Sequence, residues 1–289
     1  MDTGRMANLM GVVNVTPDSF SDGGLFLNPE AAIAHGRELA AQGADLLDVG
    51  GESTRPGAEA VSAEEERARI EPVVAALASE AGAGVPVSID TSKASVAEAA
   101  LDAGAGIVND VTALRGDADL AGLCADRGCG VVLMHMLGNP RTMQDDPSYR
   151  DVVDDVKAFL AERVQAAVAA GIDEARIFVD PGIGFGKTLD HNLELLRRLG
   201  ELRELGRPVV VGTSRKSFIG KLTGRDVDER LGGTIASNVL AVLGGADVVR
   251  GHDVLELRQA IDVAEAIVGR RDWRTGSATA ASAASGPPR

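Results

Sequence analysis

The sequence predicts a single (β/α)8 barrel. Three observations carry that expectation. Eight short, β-branched, nearly continuous apolar runs recur along the chain, as parallel strands buried on both faces do. Stretches with helical spacing separate them, and several end at a glycine that can stop a helix: Gly43, Gly82, Gly104, Gly171 and Gly206. The eight strand–helix units fill roughly 265 residues, which is barrel arithmetic. A doubly wound open sheet is the structural alternative.

The elements follow in order. LMGVVNV, from Leu9, ends at Asn14 and opens a long loop to residue 28. DLLDVG, from Asp45, carries Asp48 and leads into the loop 51–62. The helix after it begins AEEERARIE, a charge run that reads as a solvated face. VPVSIDT, from Val85, carries Asp90, and GIVNDV, from Gly106, carries Asn109 and Asp110. GVVLMH, from Gly130, ends at His135 before the loop 136–147. RIFVDPG, from Arg176, carries Asp180. PVVVGTS, from Pro208, leads to Ser214, Arg215 and Lys216, and ADVVRGH, from Ala246, carries Arg250 and His252. The domain is expected over residues 1–270. The small, polar, unpatterned end of the chain (271–289) is expected to be a disordered tail.

Composition narrows the function classes. Aromatics are only 3% of the chain, so Val, Ile, Leu and Ala must build the core. The formal net charge of −14 argues against nucleic-acid or anionic-lipid surfaces. Any anion must therefore sit in a local positive pocket. Two cysteines, Cys124 and Cys129, make neither a metal knuckle nor a disulfide framework and read as reduced core thiols. No basic-then-apolar leader and no apolar run of about 20 residues is visible, so a soluble cytoplasmic protein with no membrane partner is expected.

In a barrel, the carboxyl ends of the strands form the catalytic mouth. Capping could explain one polar residue there, but not a polar residue on almost every strand. Asp48 and Asp90 lie among apolar neighbours, where an unpaired carboxylate is costly, so each should meet a ligand or a cation. Carboxylates and amides come from strands two, three, four and six, and cations from seven and eight. A phosphate site after strands seven and eight is a recurring barrel feature. The implied ligand has a phosphate-like group and an edge of N–H donors, such as an aminopyrimidinone, which a carboxylate can grip with two parallel bonds.

The run DPGIGFGKT tests a rival idea. A phosphate-cradling Walker loop would need glycine at 181, where the chain has proline. The glycines at 182, 184 and 186 do not fit a dinucleotide fingerprint either. The run reads as a turn after the strand carrying Asp180, with Lys187 solvated or capping it and Phe185 either a wall for a flat ligand or ordinary packing. His35 and His191 read as surface residues of helices, and His135 receives no assigned role.

The segments MGVVNVTPDSFSDGG, DVGGESTRPGA, SIDTSK, VNDV, TMQDDPSY, DPGIGFGKT, VGTSRKSFIG and VRGHDV together resemble dihydropteroate synthase, from about residue 9 to 270. The resemblance implies condensation of (7,8-dihydropterin-6-yl)methyl diphosphate with 4-aminobenzoate, giving 7,8-dihydropteroate and diphosphate for folate. It also implies a homodimeric barrel, Mg2+ riding on the diphosphate, and inhibition by sulfonamides. Carried over residue by residue, it places pterin on Asp90, Asn109, Asp180 and Lys216. Aminobenzoate falls to Thr54, Arg55, Pro56, Phe185 and Ser214. Diphosphate falls to Asn14, Arg250 and His252, with Asn14 also meeting the metal. Catalytic roles fall to Asp18, Asp22, Asp90 and Lys216, with Asp18, Phe20 and Asp22 in a first mobile loop and residues 53–57 in a second. Ser214 is expected to open the helix after strand seven. The alternatives are a non-catalytic pterin-binding paralogue and a pterin-dependent methyltransferase domain; a Schiff-base aldolase fits less well.

Overall fold

The chain folds as a closed ring of eight parallel strands wrapped by helices. The computed structural model describes residues 6–16, 29–54, 57–80 and 85–271. The strands are β1 (Asn8–Asn14), β2 (Leu46–Gly50), β3 (Val87–Asp90), β4 (Ile107–Asp110), β5 (Gly130–Met134), β6 (Ile177–Asp180), β7 (Val210–Val211) and β8 (Val248–Gly251). The helices are α1 (Pro29–Ala41), α2 (Ala63–Glu80), α3 (Ala94–Asp102), α4 (Leu120–Arg127), α5 (Val152–Ala169), α6 (Leu189–Arg197), α7 (Ser217–Thr223), α8 (Leu231–Gly244) and α9 (Val254–Ile267). Each expected strand is present, and β7 is followed by two helices rather than one.

Pairing runs in chain order from β1 to β6 on one side and through β8 to β7 on the other. The ring closes where β6 meets β7, through the single parallel bridge Val179↔Val209. There the Val179 N–H donates to the Pro208 carbonyl at 3.0 Å. An open doubly wound sheet would leave these two strands as separate edges, so that alternative is excluded.

Side chains alternate along a strand, and the alternation sorts two cores. Met10, Leu46, Val132, Val210 and Val248 fill the inside of the barrel with Ile107 and Phe178. Their strand neighbours, among them Leu9, Leu47, Val131, Ile177 and Val249, face outward and join the helices in the main core. Each fully buried aliphatic side chain contributes roughly 1.5–3 kcal/mol. Two residues beyond Leu46, Ile107, Phe178 and Val248, the inward position becomes polar: Asp48, Asn109, Asp180 and Arg250. The polar layer therefore lies on top of an apolar plug, at the carboxyl end of the strands.

The predicted glycine stops hold where they are described. Gly43, Gly104, Gly171 and Gly206 have φ of 100°, 110°, 98° and 66°, a region that penalises a Cβ. Gly82 lies outside the described residues, as does all of the expected tail from 272 onward. At the opposite end of the barrel, the Ala7 N–H donates to Glu265 Oε1 at 2.7 Å and the Leu9 N–H to Asp45 Oδ2 at 2.7 Å. Cys124 and Cys129 are buried free thiols in the main core, as expected. The AEEERARIE run departs from expectation, because Glu66 within it is fully buried. No helix of the described residues is long and apolar enough to cross a membrane.

Candidate active site

Arg250 is the hub of the polar layer. Its Nε donates to Asp48 Oδ2 at 2.6 Å and its Nη2 to Asp90 Oδ2 at 2.9 Å. Asn109 Nδ2 donates to the same Asp48 oxygen at 3.0 Å. Four strands, β2, β3, β4 and β8, are thereby tied across the mouth. Asp48 is wholly buried, and a buried carboxylate is costly unless a cation or hydrogen-bond donors compensate it. The expected meeting of Asp48 and Asp90 with a cation is thus met from within the chain. The cation of strand eight reaches over to the carboxylates of strands two and three.

Burial pushes the Asp90 carboxyl up to about 7, with the charges of Asp48, Glu66 and Asp110 adding to it and Arg250 opposing. Burial works against the Arg250 charge, yet Asp48 and Asp90 hold its guanidinium above the usual range. Asp180 is also raised by burial, against the Gly182 N–H, at 2.7 Å, and the charges of Lys216, Arg250 and Lys187. Asp90, Asp180 and Arg250 therefore share one electrostatic field at the mouth.

The loop after β6 is pinned rather than free. Tyr149 Oη donates to the Gly186 carbonyl at 2.7 Å, and Gln144 Nε2 donates to the Gly184 carbonyl at 2.7 Å. Gly182 has φ 66°, and a Cβ there would stand 1.9 Å from the His135 carbonyl oxygen. Lys216 Nζ lies 4.0 Å from the centre of the Phe185 ring, a cation–π contact. An expected pterin residue and an expected aminobenzoate wall thus touch. Lys187 corrects the sequence reading. It is neither solvated nor a simple cap but 2% exposed, donating to His135 Nδ1 and the Phe185 carbonyl, each at 3.0 Å.

Ser214 Oγ and His252 Nδ1 lie 3.0 Å apart, joining the expected aminobenzoate and diphosphate sides. Ser214 does not open a helix. Arg215 stands at φ 56°, Lys216 occupies the cap position and α7 begins at Ser217. The positive φ spends the intervening residues on a turn, which Arg215 fixes by a two-pronged pair with Asp253. Asp110 is also corrected, since it faces away from the mouth. Its oxygens accept from the Thr112 N–H and hydroxyl and from the Leu114 N–H.

Asn14, at the mouth end of β1, is half-buried. Thr54 lines a cavity of about 300 Å³ together with Asp90, Val111, Met136 and Arg141. A larger groove, about 510 Å³, lies on the outer surface between Tyr149–Val152 and α6 and holds none of the expected site residues. His191 is half-buried and reciprocates the Thr188 cap of α6. Asp18, Phe20, Asp22, Arg55 and Pro56 fall outside the described residues.

A family model for pterin binding enzymes matches residues 10–252. The dihydropteroate synthase of Neisseria meningitidis serogroup C is 49% identical over 263 residues, covering 90% of this chain and 92% of that protein. The chain belongs to the dihydropteroate synthase family. Xanthomonas albilineans dihydropteroate synthase, solved with 4-aminobenzoic acid, matches with a TM-score of 0.84 and 50% identity, over 91% of this chain and 93% of the other. The same species' dihydropteroate synthase in complex with 7,8-dihydropteroate matches with a TM-score of 0.81 and 47% identity, over 91% and 94%. Against this dihydropteroate synthase background, the residues the sequence reading missed are Lys187 with His135, and Lys93 with Glu66. The only local signal for the second pair was Lys93 in SIDTSK, a segment quoted for its aspartate.

Proposed function

We infer that this chain condenses (7,8-dihydropterin-6-yl)methyl diphosphate with 4-aminobenzoate, releasing diphosphate. The observation that carries the reading is the convergence of Asp90, Asn109, Asp180, Lys216 and Arg250 on one mouth, in a member of this family. The carboxylates of Asp90 and Asp180 suit the adjacent N–H donors of a dihydropterin. Asn14, Arg250 and His252 hold the diphosphate. Arg250 has five donors in its fork, so it can bind phosphate oxygens while still bracing Asp48. Thr54, Phe185 and Ser214, with Arg55 and Pro56, receive aminobenzoate beside the methylene.

The chemistry is a substitution at that methylene. The carbon–oxygen bond breaks first, and its electron pair leaves with the diphosphate. The cation left behind is delocalised over the electron-rich ring, and a carboxylate, that of Asp90 or of Asp22, stabilises it by its charge; the family resemblance gives Asp18 a catalytic role as well. The aryl amine lone pair then forms the carbon–nitrogen bond, and the nitrogen gives up a proton. An aniline nitrogen is unprotonated at neutral pH, so no strong base is needed.

Among the described residues no three His, Cys, Asp or Glu side chains gather as a metal cage. Mg2+ therefore fits as an ion brought mainly by phosphate oxygens and water, with the Asn14 amide as the protein's oxygen donor. When bound it would draw charge from the departing phosphate. We also propose a cytoplasmic homodimer; Leu240 on α8 and Val263 and Ile267 on α9 stand 64%, 60% and 80% exposed and supply apolar surface for a second copy.

The test is incubation with the pterin diphosphate, 4-aminobenzoate and Mg2+, following dihydropteroate. No product from folded protein overturns the reading in favour of a binding-only paralogue. Positional exchange of oxygen within the diphosphate linkage, without aminobenzoate, is expected for early departure. Cleavage strictly dependent on aminobenzoate would point to concerted displacement instead.

A further inference from the structure

The loop after β2 is held shut at its neck by one ammonium group. Lys93, just before α3, donates from Nζ to Glu52 Oε2 at 3.0 Å and to the Val61 carbonyl at 2.7 Å. Glu52 and Val61 are the two sides of the neck, and the Val61 N–H also donates to Glu52 Oε1 at 2.8 Å. A third bond runs from Lys93 Nζ to Glu66 Oε2 at 2.5 Å. Glu66 lies on α2, wholly buried, and its Oε1 has no hydrogen-bond partner among the described residues. The loop tip rests elsewhere: the Gly57 N–H donates to the Pro140 carbonyl at 3.3 Å.

This arrangement is expensive. A wholly buried carboxylate raises the cost of folding, and an apolar pair of the same size would often stabilise as well or better. An ionic clamp does what an apolar pair cannot: it fixes two backbone points in direction as well as in distance. The clamped segment carries Thr54 and lines the cavity that reaches Asp90. Lys93 itself follows Asp90 by three residues, so the strand end that supplies a pterin carboxylate also supplies the anchor of the loop.

We propose that Lys93, backed by Glu66, is a positioning residue that sets the Glu52–Val61 neck and so places Thr54 over the aminobenzoate site. Lys93 touches neither substrate and acts through the loop. The inference rests on the function proposed above.

Two variants separate this role from mere folding. Glu52→Ala frees the neck while leaving Lys93 paired with Glu66. Lys93→Met with Glu66→Met removes the clamp without stranding a buried charge. With melting temperatures close to the parent, the KM for 4-aminobenzoate is expected to rise about tenfold, and that for the pterin diphosphate by less than about twofold. Lys93→Arg should recover part of the loss. An unchanged aminobenzoate KM in both variants, or an equal rise for both substrates, overturns the proposal. A second readout needs no turnover. Cleavage after the exposed Glu59 by a glutamate-specific protease should quicken in both variants; equal cleavage rates overturn the clamp. If the parent protein makes no dihydropteroate, the function reading fails, while the protease result still judges the clamp.

Discussion

Lys187 and His135 share a 3.0 Å hydrogen bond inside the protein wall, a place where lysine is rare. Burial lowers Lys187 to about 7, and burial with the neighbouring Lys187 charge lowers His135 to about 3. His135 is therefore neutral at working pH and accepts at Nδ1, which puts its proton on Nε2. The pair braces the β6 loop against the end of β5, behind Phe185.

The pH dependence of stability follows from that depression. Below about 7 both folded and unfolded chains hold the Lys187 proton, and the full cost of burying the charge is felt. As pH rises from about 7 toward the ordinary 10.5, the unfolded chain binds more protons than the folded one, so this contribution increasingly favours the fold. The stability of the parent relative to Lys187→Met, measured by urea unfolding, should therefore rise between pH 7 and 9. A pH-independent difference between the two would show that Lys187 does not titrate in this range.

Asp90 gives a binding prediction of its own. Its carboxyl titrates near 7 instead of 3.8, and a dihydropterin edge of N–H donors needs it ionised. Binding below neutrality must expel that proton. Pterin affinity should fall as pH drops below about 7, approaching a factor of about ten per unit. Calorimetry at pH 6 in buffers of different ionisation enthalpy should register proton release. Asp90→Asn should bind more weakly and lose the slope; a slope that survives the substitution assigns the proton to another group.

The Arg250 hub predicts a structural penalty. Arg250→Met strands Asp48 and Asp90 without their cation, which should destabilise the fold by about 3–5 kcal/mol. Adding Asp48→Asn should recover part of that loss, because the stranded charge is then gone. Chemical denaturation of the four proteins of that cycle measures the coupling, and strictly additive losses would mean that the pair is not coupled.

Legibility depended on how local the cause was. All eight strands could be read because a parallel strand buried on both faces is apolar at every position, and Gly43, Gly104, Gly171 and Gly206 marked helix ends by conformation alone. The mouth residues Asp90, Asn109, Asp180 and Arg250 were visible as polar residues closing apolar runs. Their wiring was not, because Arg250 and Asp48 are 202 positions apart and only ring closure brings them together. Lys187 looked solvated because FGKT is locally a turn; its burial comes from β5 packing behind it. Glu66 was hidden within a charge run, since helix periodicity there is masked by three consecutive glutamates. Ser214 misled because the left-handed Arg215 delays the helix by a turn that no residue type announces.

The single bridge between Val179 and Val209 makes one side of the ring a seam held by very little backbone. Asp180 stands on one lip of that seam and Lys216 just beyond the other. A heterocycle gripped by both would act as a suture, supplying across the gap what the two short strands do not. The empty protein should breathe there first, with amides flanking Val179 and Val209 exchanging early. Loading the pterin should silence that exchange before aminobenzoate has anywhere firm to land.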